Sequence, residues 1–143
     1  MANKVISRII TSVDGSFRSH RVVERAAEMA AMFQAKVILL HVRQKVPDIL
    51  GEPYYQQVLN KYMDVAEGIT APLQALLEER GVECEVLVLE GDPAEAIVGA
   101  ASDEKCDLIV MGTRGLSNLQ GIALGSVSHK VLQAAECMVL IVP

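Results

Sequence analysis

The sequence predicts an α/β fold, an open parallel five-stranded sheet with helices on both faces. Three observations predict it. Short apolar segments alternate with longer ones of helical spacing, in the order β-α-β-α-β-α-β-α-β with no linker and no repeat. Alternation of this kind implies right-handed crossovers that bring each strand back parallel to the others. Several of the strand segments are apolar on consecutive residues, as strands covered on both faces are. Finally, 143 residues with 51% hydrophobic and 22% charged side chains suit one domain, 1–143, with a sizeable core, and exclude a disordered chain.

The elements follow in order. Val5-Ile6 and Ile9-Ile10 lead through Ser12-Val13 to Asp14-Gly15-Ser16, a strand closed by a turn signal. Val22, Val23, Ala26, Ala27, Ala30 and Phe33 recur at helical spacing, with Arg21, Glu24, Arg25 and Glu28 on the other face. Lys36 to Val42 is too continuously apolar for a half-exposed strand. Gln44 to Pro53, carrying Pro47 and Gly51, reads as a loop. A long helical pattern then runs from Val58 to Leu77 and stops at Gly81, with a kink expected near Gly68 to Pro72 because Pro72 cannot donate a backbone hydrogen bond.

Val82 to Leu89 alternates and reads as a strand nearer the sheet edge. Asp92-Pro93-Ala94-Glu95 starts a helix with Asp as N-cap, Pro at the first position and Glu at the third. Cys106 to Met111 is a buried strand, Gly112 to Leu124 a glycine-bearing loop, Ser126 to Ala135 a helix and Cys137 to Val142 a last apolar strand. In such sheets ligands sit outside the carboxyl ends of the strands, where the strand order reverses. Asp14, Val42 and Gly112 all fall at strand ends of that kind.

Composition narrows the function. Thirteen Lys and Arg against eighteen Asp and Glu leave a net charge of −5, with an isoelectric point near 5.2. That excludes a general basic field holding nucleic acid or an anionic membrane. Aromatics are 3% with no Trp, so stacking platforms for single-stranded nucleic acid are also missing. No apolar run reaches the roughly 18 residues of a membrane span, and Met1 to Arg8 has no signal-peptide pattern, so a cytoplasmic protein is expected. Cys84, Cys106 and Cys137 are scattered and form no Cys-x-x-Cys pair, which reads as buried reduced thiols, with no metal site expected.

The most informative stretch is Gly112-Thr113-Arg114-Gly115, nine further residues, then Gly125-Ser126-Val127-Ser128. Gly112 and Gly115 let the backbone approach a ligand closely. Gly125-Ser126 opens a helix whose unpaired N–H groups and positive dipole end attract anions, and Ser126 and Ser128 add hydroxyls at the same mouth. The stretch has neither the Gly-Lys-Ser/Thr of a P-loop nor the Gly-x-Gly-x-x-Gly of a dinucleotide turn. On spacing alone, a surface loop with turn glycines before an ordinary helix is an equal reading.

The Gly-x2-Gly-x9-Gly-Ser pattern after one strand, with Val-Asp-Gly-Ser after the first, resembles the universal stress protein family. The resemblance runs from Ile9 to Pro143. The glycine pattern is complete, as in the ATP-binding branch of that family, and implies its Rossmann-like fold. It also implies roles at matching positions. Asp14 and Val42 resemble the residues that hold adenine, with Ser12 and Val13 beside them. Met111, Gly112 and Gly115 match positions lining the ribose and phosphates, and Gly125, Ser126 and Val127 match the triphosphate contacts. Ser128 is added from helix-mouth geometry.

Phosphoryl transfer needs a positioned nucleophile, a metal and charge stabilisation. The loop supplies Thr113, Arg114, Ser117 and Asn118 but no carboxylate, and His129 reads as a helix-surface residue, so no catalytic residue is assigned. The expected activity is binding of ATP, or of ADP or AMP, as a stress-response or signalling module, with Mg2+ or Mn2+ carried by the nucleotide's phosphates. The competing readings are a slow ATPase or phosphotransferase and a dimeric interaction protein that uses no nucleotide. The apolar strand 137–142, if it is a sheet edge, calls for cover by a second chain, so a homodimer through it is expected.

Overall fold

The computed structural model describes residues 5–113 and 124–143. Its five strands, β1 (Arg8–Ser12), β2 (Lys36–Arg43), β3 (Cys84–Glu90), β4 (Leu108–Gly112) and β5 (Met138–Val142), are all parallel in the order β3-β2-β1-β4-β5. The order grows outward from β1 in both directions, so the chain reverses its direction of travel between β1 and β4. The four helices are α1 (Ser19–Phe33), α2 (Tyr54–Glu79), α3 (Pro93–Asp103) and α4 (Ser126–Ala134). Within Gln44 to Pro53, expected as loop, one turn of 3-10 helix spans Asp48–Leu50.

Side chains on a strand alternate between faces, and here the alternation sorts the core into two halves. Ile9, Val37, Leu39 and Val110 pack with Val22, Val23, Ala26 and Ala30 of α1 and Leu73 and Leu77 of α2. Ile10, Ile38, Leu40, Ile109 and Met111 pack with Ile97, Ala100 and Ala101 of α3 and Val131 of α4. Helices therefore cover both faces, as the continuous apolar runs predict. The alternating segment 82–89 obeys the same rule at the sheet edge: Val82, Cys84 and Val86 join the first half and Leu87 and Leu89 the second.

Local chemistry sets the boundaries. The Asp92 carboxylate accepts from the Glu95 amide at 3.0 Å, a cap worth about 1 kcal/mol, with Pro93 at the first helical position. Helix α2 runs unbroken through Pro72, where a kink is expected. Pro72 leaves the Gly68 carbonyl without its usual i+4 donor, and the helix continues on either side. At the amino end of the sheet, Asp107 Oδ2 accepts from the amides of Ser7 and Arg8 at 2.8 and 3.1 Å, while Arg8 reaches Glu104 at 3.0 Å. These contacts tie β1 to β4 at the end away from the strand carboxyl termini.

The three cysteines are free, Cys106 buried and the other two half-buried. Burial pushes the Cys84 and Cys106 thiols up to about 11 and also raises Cys137. In the unfolded chain a thiol titrates at its ordinary value of 9.0, so above that pH the unfolded state loses its protons first. The stability these neutral thiols confer is complete below pH 9 and is lost as pH rises toward 11. Urea midpoints taken across that window should fall in the native protein and fall less in a Cys84→Ala/Cys106→Ala variant; equal slopes would contradict the assignment.

Candidate functional site

Where β1 and β4 diverge, the carboxyl ends of the strands open into a cleft of about 580 Å³. Each wall is set by a short run of sequence. At the end of β1, the Val13 amide donates to the Leu40 carbonyl at 2.9 Å. Asp14 then turns the chain, with Oδ1 accepting from the Ser16 amide at 2.9 Å and the Ser19 hydroxyl at 3.3 Å. Gly15 takes a positive φ of 84°, and a Cβ there would lie 3.0 Å from Ile69 Cδ1. The turn is thus a close approach of backbone to α2 that only glycine permits without strain.

The end of β2 contributes His41, Val42 and Arg43. His41 Nδ1 lies 2.8 Å from the Val13 carbonyl oxygen. A carbonyl only accepts, so this nitrogen carries the proton. Arg43 pairs with Glu90 at 3.3 Å. Across the cleft, Thr113 follows β4. Its amide donates to the Val142 carbonyl at 3.1 Å, and its carbonyl accepts from the Gly125 amide at 2.6 Å and the Ser128 hydroxyl at 2.9 Å. That shared carbonyl fixes the start of α4. Gly125 is extended there, and no side chain caps the helix. The amides of its first turn, with the exposed Ser126 hydroxyl beside them, form a ready anion site at the cleft wall.

Of the residues singled out in the sequence, Ser12, Asp14, Val42, Met111, Gly112, Gly125, Ser126, Val127 and Ser128 all line this one cleft. Val13 does not: its side chain is 2% exposed and packs in the α1–α2 half of the core, and only its backbone serves the site. Ser128 lines the cleft but its proton is committed to Thr113, so it secures the helix start where a free hydroxyl donor is expected. Gly115, Arg114, Ser117 and Asn118 lie outside the described residues. His129 is exposed on α4 and is not among the lining residues, while His20 pairs with Glu24 at 2.6 Å.

The sequence reading missed His41, Arg18, Arg43 and the α2 trio Tyr62, Val65 and Ile69. Tyr62 and Ile69 belong to an apolar helical stripe, which reads as core because stripes usually are. The signal for His41 is a polar ring inside an otherwise apolar strand. Among the described residues no group of three or more His, Cys, Asp or Glu could hold a metal ion, and no helix is long and apolar enough to cross a membrane.

A doubly covered parallel sheet with a cleft at its reversal point, walled by an uncapped helix start, defines an α/β protein of the Rossmann-like class. The chain belongs to the universal stress protein family, whose sequence model matches residues 6–143. A Thermus aquaticus universal stress protein is 43% identical over 135 residues, covering 94% of this chain and 96% of its own. The structure of MJ0577, a universal stress protein of Methanocaldococcus jannaschii, superimposes with a TM-score of 0.87 at 29% identity, over 96% of each chain. A universal stress protein solved in complex with cAMP superimposes with a TM-score of 0.71 at 30% identity, over 96% of this chain and 97% of its own.

The Gly15 contact generates a direct test. Gly15→Ala must hold a positive φ and displace Ile69, which together cost about 1–3 kcal/mol. Chemical denaturation should show a loss of that order, partly recovered by adding Ile69→Ala; an unchanged midpoint would show that the turn is not held as described.

Proposed function

We propose that this chain is an adenine-nucleotide-binding module of the universal stress protein family, one domain over residues 1–143, with ATP as its ligand. The observation that carries the reading is the pairing of two chemistries across one cleft. On one wall stand the uncapped amides of α4 with Ser126, suited to phosphates. On the other stand the Asp14 carboxylate and the apolar face of Val42, suited to a hydroxyl or amine donor and to a base. The relative bound to cAMP supports an adenine nucleotide as the class of ligand.

The proposed binding set is Ser12, Asp14, Val42, Met111, Gly112, Gly125, Ser126 and Val127, with Gly115 assigned by sequence pattern and Val13 and Ser128 acting through the backbone they fix. The described residues offer no cluster of metal ligands, so a divalent ion would come with the nucleotide on its phosphates. The reading is of binding without efficient turnover, in a cytoplasmic protein.

Isothermal titration should give micromolar ATP binding. Ser126→Pro removes one amide donor and the hydroxyl while keeping a residue that the first helical position tolerates, so ATP should bind at least about tenfold more weakly with the thermal midpoint retained. A native protein that binds no ATP at millimolar concentration would sink the proposal.

A second chain is proposed to pair with β5, making a homodimer. β5 is an edge strand of the sheet, and its Met138 is 48% exposed. An open apolar edge of this kind invites pairing. Light scattering at micromolar concentration should return twice the 15.5 kDa chain mass, and a Val139→Pro/Ile141→Pro variant should shift it to one. A native monomer would contradict it.

A further inference from the structure

We propose that Cys106 and Cys137 form a dithiol modification site at the amino end of the sheet, which reacts with a small disulfide and closes to an intramolecular Cys106–Cys137 bond. The site lies at the opposite end of the strands from the cleft and is independent of what the cleft binds. Three placements bring the two residues together. Both pack on the α3–α4 face, Cys106 within its core and Cys137 against it. Both line one cavity of about 380 Å³, with Val98, Ser102 and Lys105. In the β4–β5 ladder Leu108 stands opposite Met138; carried one residue back, the register sets Asp107 beside Cys137, with Cys106 next. Parallel neighbours lie about 4.8 Å apart and each residue advances about 3.3 Å, so a one-residue offset spans about 6 Å. Disulfides bridge α-carbons roughly 4.4–6.8 Å apart.

The backbone around the pair is fixed. The Cys106 amide donates to the Ala101 carbonyl at 2.8 Å, and the Asp107 amide to the Arg8 carbonyl at 2.9 Å. A backbone hydrogen bond from Ile109 sets the Cys137 thiol against β4. Cys137 is half-buried and Cys106 is 8% exposed, while Ser102 and Lys105 at the cavity rim are exposed. A reagent entering there meets Cys137 first. The Cys137 thiolate attacks one sulfur of the reagent, forming a mixed disulfide and expelling one thiolate. The Cys106 thiolate then attacks the Cys137 sulfur, closes the protein bond and expels the second thiolate. Both cysteine protons end on the two released thiols, so the protein dithiol is oxidised and the reagent disulfide reduced. Burial raises both cysteines, Cys106 to about 11, where Arg8 opposes the rise and Glu104 and Asp107 add to it. Lys105 and Glu136 also border the cavity. Thiolate is therefore scarce at neutral pH, and the rate climbs about tenfold per pH unit until the thiols titrate. Cys84 takes no part, because it packs on the α1–α2 face with the sheet between.

Incubation of the reduced protein with 2-hydroxyethyl disulfide at about pH 8 should join Cys106 to Cys137 within one chain, read by peptide mapping after alkylation. Dithiothreitol should restore both thiols. Cys106→Ala should stop at the first step and keep a hydroxyethylthio group on Cys137. Cys137→Ala should leave Cys106 reacting at least about tenfold more slowly than in the native chain. The same incubation in urea, where every thiol is open, checks the reagent without relying on either variant. A native chain that stays reduced while the urea-unfolded chain reacts would overturn the dithiol assignment. So would a mixed disulfide that persists on Cys137 of the native protein, a bond that includes Cys84, or a bond between two chains.

Discussion

The functional end of the molecule depends on how β1 is wedged between β2 and β4. Ile9 and Ile10 are fully buried on opposite faces, and the strand is paired along both sides. A strand so confined has one exit, past the ends of its neighbours, and its backbone polar groups must find partners as it leaves the ladder. Val13 shows the solution, with its amide on Leu40 and its carbonyl on the His41 ring. From that anchored peptide follow the Asp14 turn, the glycine that lets it pass Ile69, and the start of α1. The cleft is the space left where the chain, having built outward through β2 and β3, returns to the far side of β1.

The acidic composition is compatible with the anion site proposed at the cleft because of where the donors sit. A net charge of −5 repels polyanions at long range. It does little to one phosphate group held against the first turn of α4, because amide dipoles and a hydroxyl act at hydrogen-bond distance. The guanidinium of Arg43, at the cleft, is partnered by Glu90. The α4 wall offers directed hydrogen-bond donors.

Much of this was legible in the residues. The sheet, its doubly covered strands and the β3 edge followed from periodicity, since alternation and continuous apolar runs report burial directly; the β5 edge did not, because its apolar run reads like that of a covered strand. The Asp92 cap followed from Asp-Pro-x-Glu chemistry, and the carboxyl-end location of the cleft from topology. What escaped was whatever depends on a partner distant in sequence. Val13 looks like a cleft residue from its place beside Asp14, but pleating turns it inward. Ser128 looks like a free hydroxyl until the Thr113 carbonyl arrives from a loop 15 residues away. His41 could not be assigned at all, because the carbonyl that sets its tautomer lies 28 residues earlier. Tyr62 and Ile69 were indistinguishable from core because one helical stripe serves both the core and the cleft.

Thr113 carries one further consequence. Its amide is bonded to the last residue of β5 and its carbonyl to the first turn of α4, so one residue is attached to the sheet edge and to the helix wall of the cleft at once. A displacement of the β5 terminus therefore reaches the start of α4 through the hydrogen bonds of a single residue. The outermost strand of the sheet is in effect part of the frame of the cleft.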